Sequence, residues 1–157
     1  MFLSGGDATV VLGSATAATP EVIRIRLVGG NESAPDARGR HDLPGRANYF
    51  IGSDHNEWRT GVPSYREIEY RSVYRGIDLV YHGSQQELEY DFMVGPGARP
   101  SDIAFRVDGA ERLSLDRAGN LVISTKAGEL VHHAPIFTFT AAAHNIVRLR
   151  RLLPATA

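Results

Sequence analysis

The sequence predicts an all-β protein, an antiparallel β-sandwich or meander. Three observations carry this: apolar residues recur with a period of two, the alternating runs are short, and turn-forming residues separate them. A helix would instead repeat its apolar positions every 3.6 residues. The first clear run is Val22-Ile23-Arg24-Ile25-Arg26-Leu27-Val28, with Ile23, Ile25 and Leu27 on one face and Arg24 and Arg26 on the other. Residues 29–44 follow as a long loop, because Asn, Ser, Pro, Asp, Gly and Arg dominate and almost nothing is apolar. Ile77, Leu79 and Tyr81 alternate, and a turn through His82-Gly83-Ser84-Gln85-Gln86 leads to the next strand. There Leu88, Tyr90, Phe92 and Val94 face a core and Glu87, Glu89 and Asp91 face water.

Gly95-Pro96-Gly97-Ala98-Arg99-Pro100 reads as a rigid loop, with Ser101 and Asp102 placed to cap one short helical turn. Further strands are predicted at Ile103-Phe105-Val107, Leu113-Leu115, Leu121-Ile123 and Ile136-Phe137-Thr138-Phe139. Turns at Asp116-Arg117-Ala118-Gly119-Asn120 and Thr125-Lys126-Ala127-Gly128-Glu129 place glycine where a positive φ is cheap. The expected core is Ile23, Ile25, Leu27, Leu79, Tyr81, Leu88, Tyr90, Phe92 and Phe105. The domain is expected over residues 1–140, with a truncated N-terminal edge. Residues 141–157 form a divergent tail in which Ile146, Leu149 and Leu153 suit a helical stripe and Val147-Arg148-Leu149-Arg150 suits a strand.

Charge and composition narrow the function classes. Seventeen basic residues balance 18 acidic ones, so no field of one sign draws in nucleic acid or an anionic membrane. The lack of cysteine removes disulfides, thiolate metal sites and cysteine nucleophiles. No apolar run reaches the roughly 20 residues that span a bilayer, so no membrane insertion is expected. Met1 to Gly6 has neither a basic n-region nor an apolar h-region, so the sequence as written is read as lacking a signal peptide.

Glu87, Glu89 and Asp91 share a strand face at ~6.6–7 Å spacing, inside the ~6.5–9.5 Å of an inverting glycosidase pair. An outer strand face wetted by charge, paired with Arg24, Arg26 or Arg66, explains them without chemistry. Asp54-His55-Asn56-Glu57 offers oxygen ligands but lacks the glycine and terminal acid of an EF-hand, and reads as a turn that aims Trp58. His132 and His133 point to opposite strand faces, His41 lies in the long loop and His82 at a turn, so no metal site is expected. There is no Gly-x-Ser-x-Gly elbow and no phosphate loop. No catalytic residue, metal or cofactor is assigned. Arg75 and Asp78 flank a turn and are expected to pair locally.

Aromatic residues crowd the stretch 49–92. Core packing accounts for many of them, Tyr81 included, but Tyr49, Trp58, Tyr65, Tyr74 and Tyr81 are also the candidate binding residues, because Tyr and Trp anchor interfaces and stack on sugars.

Five blocks carry a resemblance. They are Gly45-Arg46-Ala47-Asn48-Tyr49-Phe50-Ile51-Gly52, Trp58-Arg59-Thr60-Gly61-Val62-Pro63-Ser64-Tyr65, Val73-Tyr74-Arg75-Gly76-Ile77-Asp78-Leu79-Val80-Tyr81, Leu88-Glu89-Tyr90-Asp91-Phe92 and Val94-Gly95-Pro96-Gly97-Ala98. In order and spacing they resemble the N-terminal domain of bacterial SBBP-repeat proteins, large secreted or surface chains in which such a domain precedes β-propeller repeats. The resemblance covers about residues 45–135 and extends weakly back to Phe2. It implies a domain of unknown activity, extracellular or at the cell surface in its parent, and with no assembled set of reactive groups the chain is expected to be a non-catalytic structural or interaction module. The implied partners are the following domains or other surface proteins. The alternative is a carbohydrate-binding module with glycans stacked on an aromatic platform around Trp58.

Overall fold

The computed structural model describes residues 2–13, 20–31, 37–83, 88–139, 145–150 and 152–154. Among them are fourteen strands: β1 (Phe2–Ser4), β2 (Asp7–Leu12), β3 (Glu21–Leu27), β4 (Ala37–Tyr49), β5 (Arg59–Tyr74), β6 (Ile77–Gly83), β7 (Leu88–Val94), β8 (Phe105–Asp108), β9 (Arg112–Leu115), β10 (Leu121–Thr125), β11 (Gly128–His132), β12 (Ile136–Phe139), β13 (Asn145–Arg150) and β14 (Leu152–Pro154). Two single 3₁₀ turns, His55–Glu57 and Pro100–Asp102, are the helical elements of the described residues. The predicted all-β antiparallel class is the observed one.

Three sheets form. The largest has the order β12-β13-β7-β6-β5-β4, and the two four-stranded sheets run β1-β2-β3-β8 and β14-β11-β10-β9. Each is mostly a meander, so neighbours in sequence are neighbours in space. One buried cluster takes Ala8, Ile23 and Ile25 from the first small sheet, Ile123 and Leu130 from the second, and Tyr70, Leu79, Tyr81, Tyr90 and Phe92 from the large one. The large sheet therefore packs its inner face against both small sheets, as a sandwich does. Ile23, Ile25, Leu79, Tyr81, Tyr90 and Phe92 are buried as expected, and Leu27 and Phe105 pack against them half-buried. Glu87 and the side chain of Leu88 lie outside the described residues.

Residues 29–44 are not one long loop. Part of that stretch, residues 32–36, lies outside the described residues, and from Ala37 onward it is the edge strand β4, paired with β5. β4 has no buried residue, so hydrophobic alternation had nothing to report there. In the C-terminal segment, residues 145–150 take the strand alternative. β13 lies beside β7 along six residue pairs, from Asn145↔Val94 to Arg150↔Glu89.

Glycine closes the sharpest approaches. Gly109 has φ +90° and leaves β8, and a Cβ there would lie 2.2 Å from the Val22 carbonyl oxygen. Gly39 is flat against Tyr65, whose ring carbons lie 2.3 to 2.4 Å from where a Cβ would sit. The Asp116 turn is as read: Gly119 has φ +81°, and the Asp116 carboxylate accepts the amides of Ala118 and Asn120. Those contacts, the Asn120 side chain first, hold its pKa below the ordinary carboxylate value. Ser101 and Asp102 lie within the Pro100–Asp102 turn and do not cap it; Arg99 is the capping position and makes no side-chain cap bond.

Candidate functional site

The aromatic set divides between two places. Tyr74 and Tyr81 are buried, so they are not surface binding residues. Each hydroxyl reaches the opposite layer. The Tyr81 hydroxyl donates to the Gly6 carbonyl at 2.6 Å. The Tyr74 hydroxyl donates to the Ala104 carbonyl at 2.6 Å and accepts the Ala104 amide at 3.2 Å. The Tyr90 hydroxyl meets His132 Nε2 at 2.7 Å. Burial pushes the pKa of Tyr81 and Tyr90 up and keeps both hydroxyls protonated. His132 is only 4% exposed, and burial first, then neighbouring His133, lowers its pKa to about 4. A neutral imidazole can accept a hydrogen bond from the Tyr90 hydroxyl at Nε2.

Tyr49, Tyr65 and Trp58 lie instead on the β4–β5 hairpin. β6 pairs with β5 only over Glu67–Tyr74, whereas β4 follows β5 out to Tyr49↔Arg59. Beyond Glu67 the hairpin is a two-stranded ribbon about 25 Å long. No residue from Ala37 to Ile68 is buried. At its tip, Tyr49, Phe50 and Ile51 are 51%, 60% and 71% exposed. The Asp54–Glu57 turn does aim Trp58. Asp54 Oδ1 accepts the Asn56 amide at 2.9 Å, and the indole N–H then donates to the Gly52 carbonyl at 3.3 Å. Phe50 meets Trp58 edge-on at 5.0 Å, and His55 lies over the indole at 3.9 Å, tilted by 34°. These neighbours occupy ring surface on which a sugar would stack. The five predicted aromatics accordingly do not form one platform.

The outer face of the large sheet carries a network that the sequence reading missed. Asp91 does lie opposite the core-facing side chains, but it is 4% exposed rather than wet. His82, in β6 rather than in a turn, stands between two carboxylates: Nε2 is 3.2 Å from Asp91 Oδ2 and Nδ1 is 3.5 Å from Glu67 Oε1. His41, in β4 with φ 56°, lies 3.4 Å from Glu67, and Arg40 and Arg71 approach Glu69 at 3.6 and 3.1 Å. Arg24 and Arg26 belong to another sheet, where Arg26 binds Asp108. The signal was present in the alternation Glu67-Ile68-Glu69-Tyr70-Arg71, in which Glu67 stands opposite His82 and Glu69 opposite Val80 of β6. Among the described residues no three His, Asp or Glu side chains converge to hold a metal. Asp78 does not pair with Arg75. It accepts the Ser72 amide at 2.7 Å, beneath a bulge where Ser72 has φ 53°.

An apolar cavity of about 350 Å³ opens between β9, β12 and the Pro100 turn. Phe105, Leu121 and His132 line its interior, and Leu115 and Phe137, 73% and 58% exposed, stand at its rim. His132 brings no unmet polar atom to it, since Nε2 is held by Tyr90.

No match was found among curated proteins or among solved structures. Residues 8–147 match the family described as a domain of unknown function, DUF7948, and with nearly the whole sandwich inside that match the chain belongs to this family.

Proposed function

We propose that this chain is a non-catalytic interaction module of a larger extracellular or surface protein, docking through its β4–β5 arm onto neighbouring domains. The observation that carries the reading is the ribbon itself, an exposed hairpin with Tyr49, Phe50 and Ile51 at its tip. A two-stranded ribbon is marginal on its own, and clustered exposed apolar side chains mark contact sites. Trp58 fixes the tip loop in advance, which lowers the entropy lost on docking. The resemblance of residues 45–135 to domains that precede β-propeller repeats names the following repeats as the first partner to test.

The test is hydrogen exchange on this chain alone and on the same chain followed by such repeats. Amides of residues 42–63 are expected to exchange at least about tenfold more slowly in the longer protein. Equal exchange in the two would overturn docking. Glycan-array binding that Trp58→Ala abolishes would replace it with carbohydrate recognition.

A further inference from the structure

A polar recess of about 510 Å³ lies where the turn after β5 meets the loop after β7. Arg75 and Gly76 line it from the turn, and Gly97, Ala98, Arg99 and Asp102 from the loop side. No aromatic ring and no large apolar side chain is among its lining residues, so the recess suits a polar occupant. Its volume falls within the roughly 300–1,000 Å³ of small-molecule sites, more than a bare ion needs. Asp78, the carboxylate expected to neutralise Arg75, is taken instead by the Ser72 amide at 2.7 Å. Arg75 is exposed and has no ion pair among the described residues. Arg99 is steered by Asp102, with Nη2 2.9 Å from Oδ1, yet its side chain stays 77% exposed. Two guanidinium groups against one carboxylate leave the lining one positive charge in excess.

The walls are set before any ligand arrives. The Gly95 amide donates to the Gly76 carbonyl at 2.9 Å and locks the loop to the turn. Gly76 has φ +72°, and a Cβ there would lie 3.1 Å from the Ala98 Cβ. The carbonyls of Gly76, Gly95, Arg99 and Pro100 accept the amides of Gly95, Ala98, Asp102 and Ile103, so those oxygens already face donors of the protein itself. The Gly97 amide has no hydrogen-bond partner among the described residues and is left to donate.

We propose that this recess binds a small polar monoanion by its carboxylate, with Arg75 and Arg99 gripping the oxygens and Asp102 holding Arg99 in place. The planar fork of a guanidinium matches the two oxygens of a carboxylate. An excess of one charge suits a monoanion, whereas a phosphate dianion overcompensates it beside Asp102. The site is independent of the arm, since β5 carries the arm at its start and this turn at its end. Docking of the arm can therefore fail while anion binding stands.

The probe is glucuronate, a carboxylate on a hydroxylated ring. The test is an amide NMR titration of the full chain at constant ionic strength, with glucose and inorganic phosphate for comparison. Glucuronate is expected to shift the amides of Gly76, Gly97 and Ala98 to saturation, with a dissociation constant of millimolar order. Glucose is expected to shift none of them, and phosphate to bind more weakly. Arg75→Gln and Arg99→Gln each remove a charge-assisted hydrogen bond and are expected to weaken glucuronate at least about tenfold. Arg117→Gln, an exposed position in the β9–β10 turn, is expected to change nothing. Arg75 and Arg99 are exposed, so the fold is retained, and an unchanged spectrum away from the recess checks this. No saturable shift at these amides, a loss in Arg117→Gln equal to that in Arg75→Gln, or tighter binding of phosphate than of glucuronate overturns the proposal.

Discussion

Tyr81, Tyr74 and Tyr90 show how a crowd of aromatics can be structural. Each ring fills the core while its hydroxyl answers a polar group on the facing layer: Gly6, Ala104 and His132 respectively. In a sandwich, apolar contact holds the layers together without fixing their relative position, whereas a directional hydrogen bond does fix it. Gly6 is buried, so Tyr81→Phe deprives its carbonyl of the donor while keeping the ring. An acceptor left unpaired in a buried site costs about 1–3 kcal/mol. Urea unfolding of Tyr81→Phe is expected to show that loss with an unchanged m-value. A midpoint equal to wild type would mean that water reaches Gly6 and the bond positions nothing. The sequence did place Tyr81 in the core, by its phase with Ile77 and Leu79. The same residue was a binding candidate only because composition counts aromatics without asking which way they face.

At the scale of the element, the legible strands were those with one buried face. β3, β6, β7 and β10 announce themselves because Ile23, Leu79, Phe92 and Ile123 recur against polar neighbours. β4 does not, since alternation reports burial and not hydrogen bonding, and both faces of β4 are exposed. Its pairing was therefore invisible, and with it the arm, although the tip residues Tyr49 and Trp58 had been singled out. The β1–β2 turn had a visible signal in Gly5-Gly6, both at positive φ. If the arm serves docking and not folding, it can be removed. Excising residues 43–64 and joining Asp42 to Tyr65 through an Asn-Gly turn takes away no core residue. The unfolding free energy is expected to change by less than about 1 kcal/mol. Loss of a cooperative thermal transition in the shortened chain would show that the ribbon belongs to the folding unit.

At the scale of the molecule, the two small sheets are each tied to the large one and to each other. The Glu21 carboxylate of β3 accepts the amides of Lys126 and Ala127 in the β10–β11 turn, and the Ala127 amide above all lowers its pKa. His132 closes the other side of the sandwich, facing Tyr90 of β7 and Phe105 of β8, with His133 beside it. These two ties respond to acid in different windows. His132 is folded with a pKa of about 4, below its ordinary 6.5, so the unfolded chain binds its proton more readily. Its stabilising effect is complete above pH 6.5, declines as pH falls from 6.5 to 4, and is fully lost below; the span is worth about 3 kcal/mol at most. Glu21, Asp108 and Asp116 have lowered pKa values, so their contributions are lost only as pH falls below the ordinary carboxylate range of 3.8 to 4.5. Urea unfolding between pH 4.5 and 7, compared between wild type and a His132 variant, therefore tests this imidazole. Wild type is expected to lose stability steadily across that range, and His132→Gln, which keeps a polar partner for the Tyr90 hydroxyl without a titrating ring, is expected to give a flat profile. The same slope in both proteins would leave the Tyr90–His132 bond with no part in the acid sensitivity.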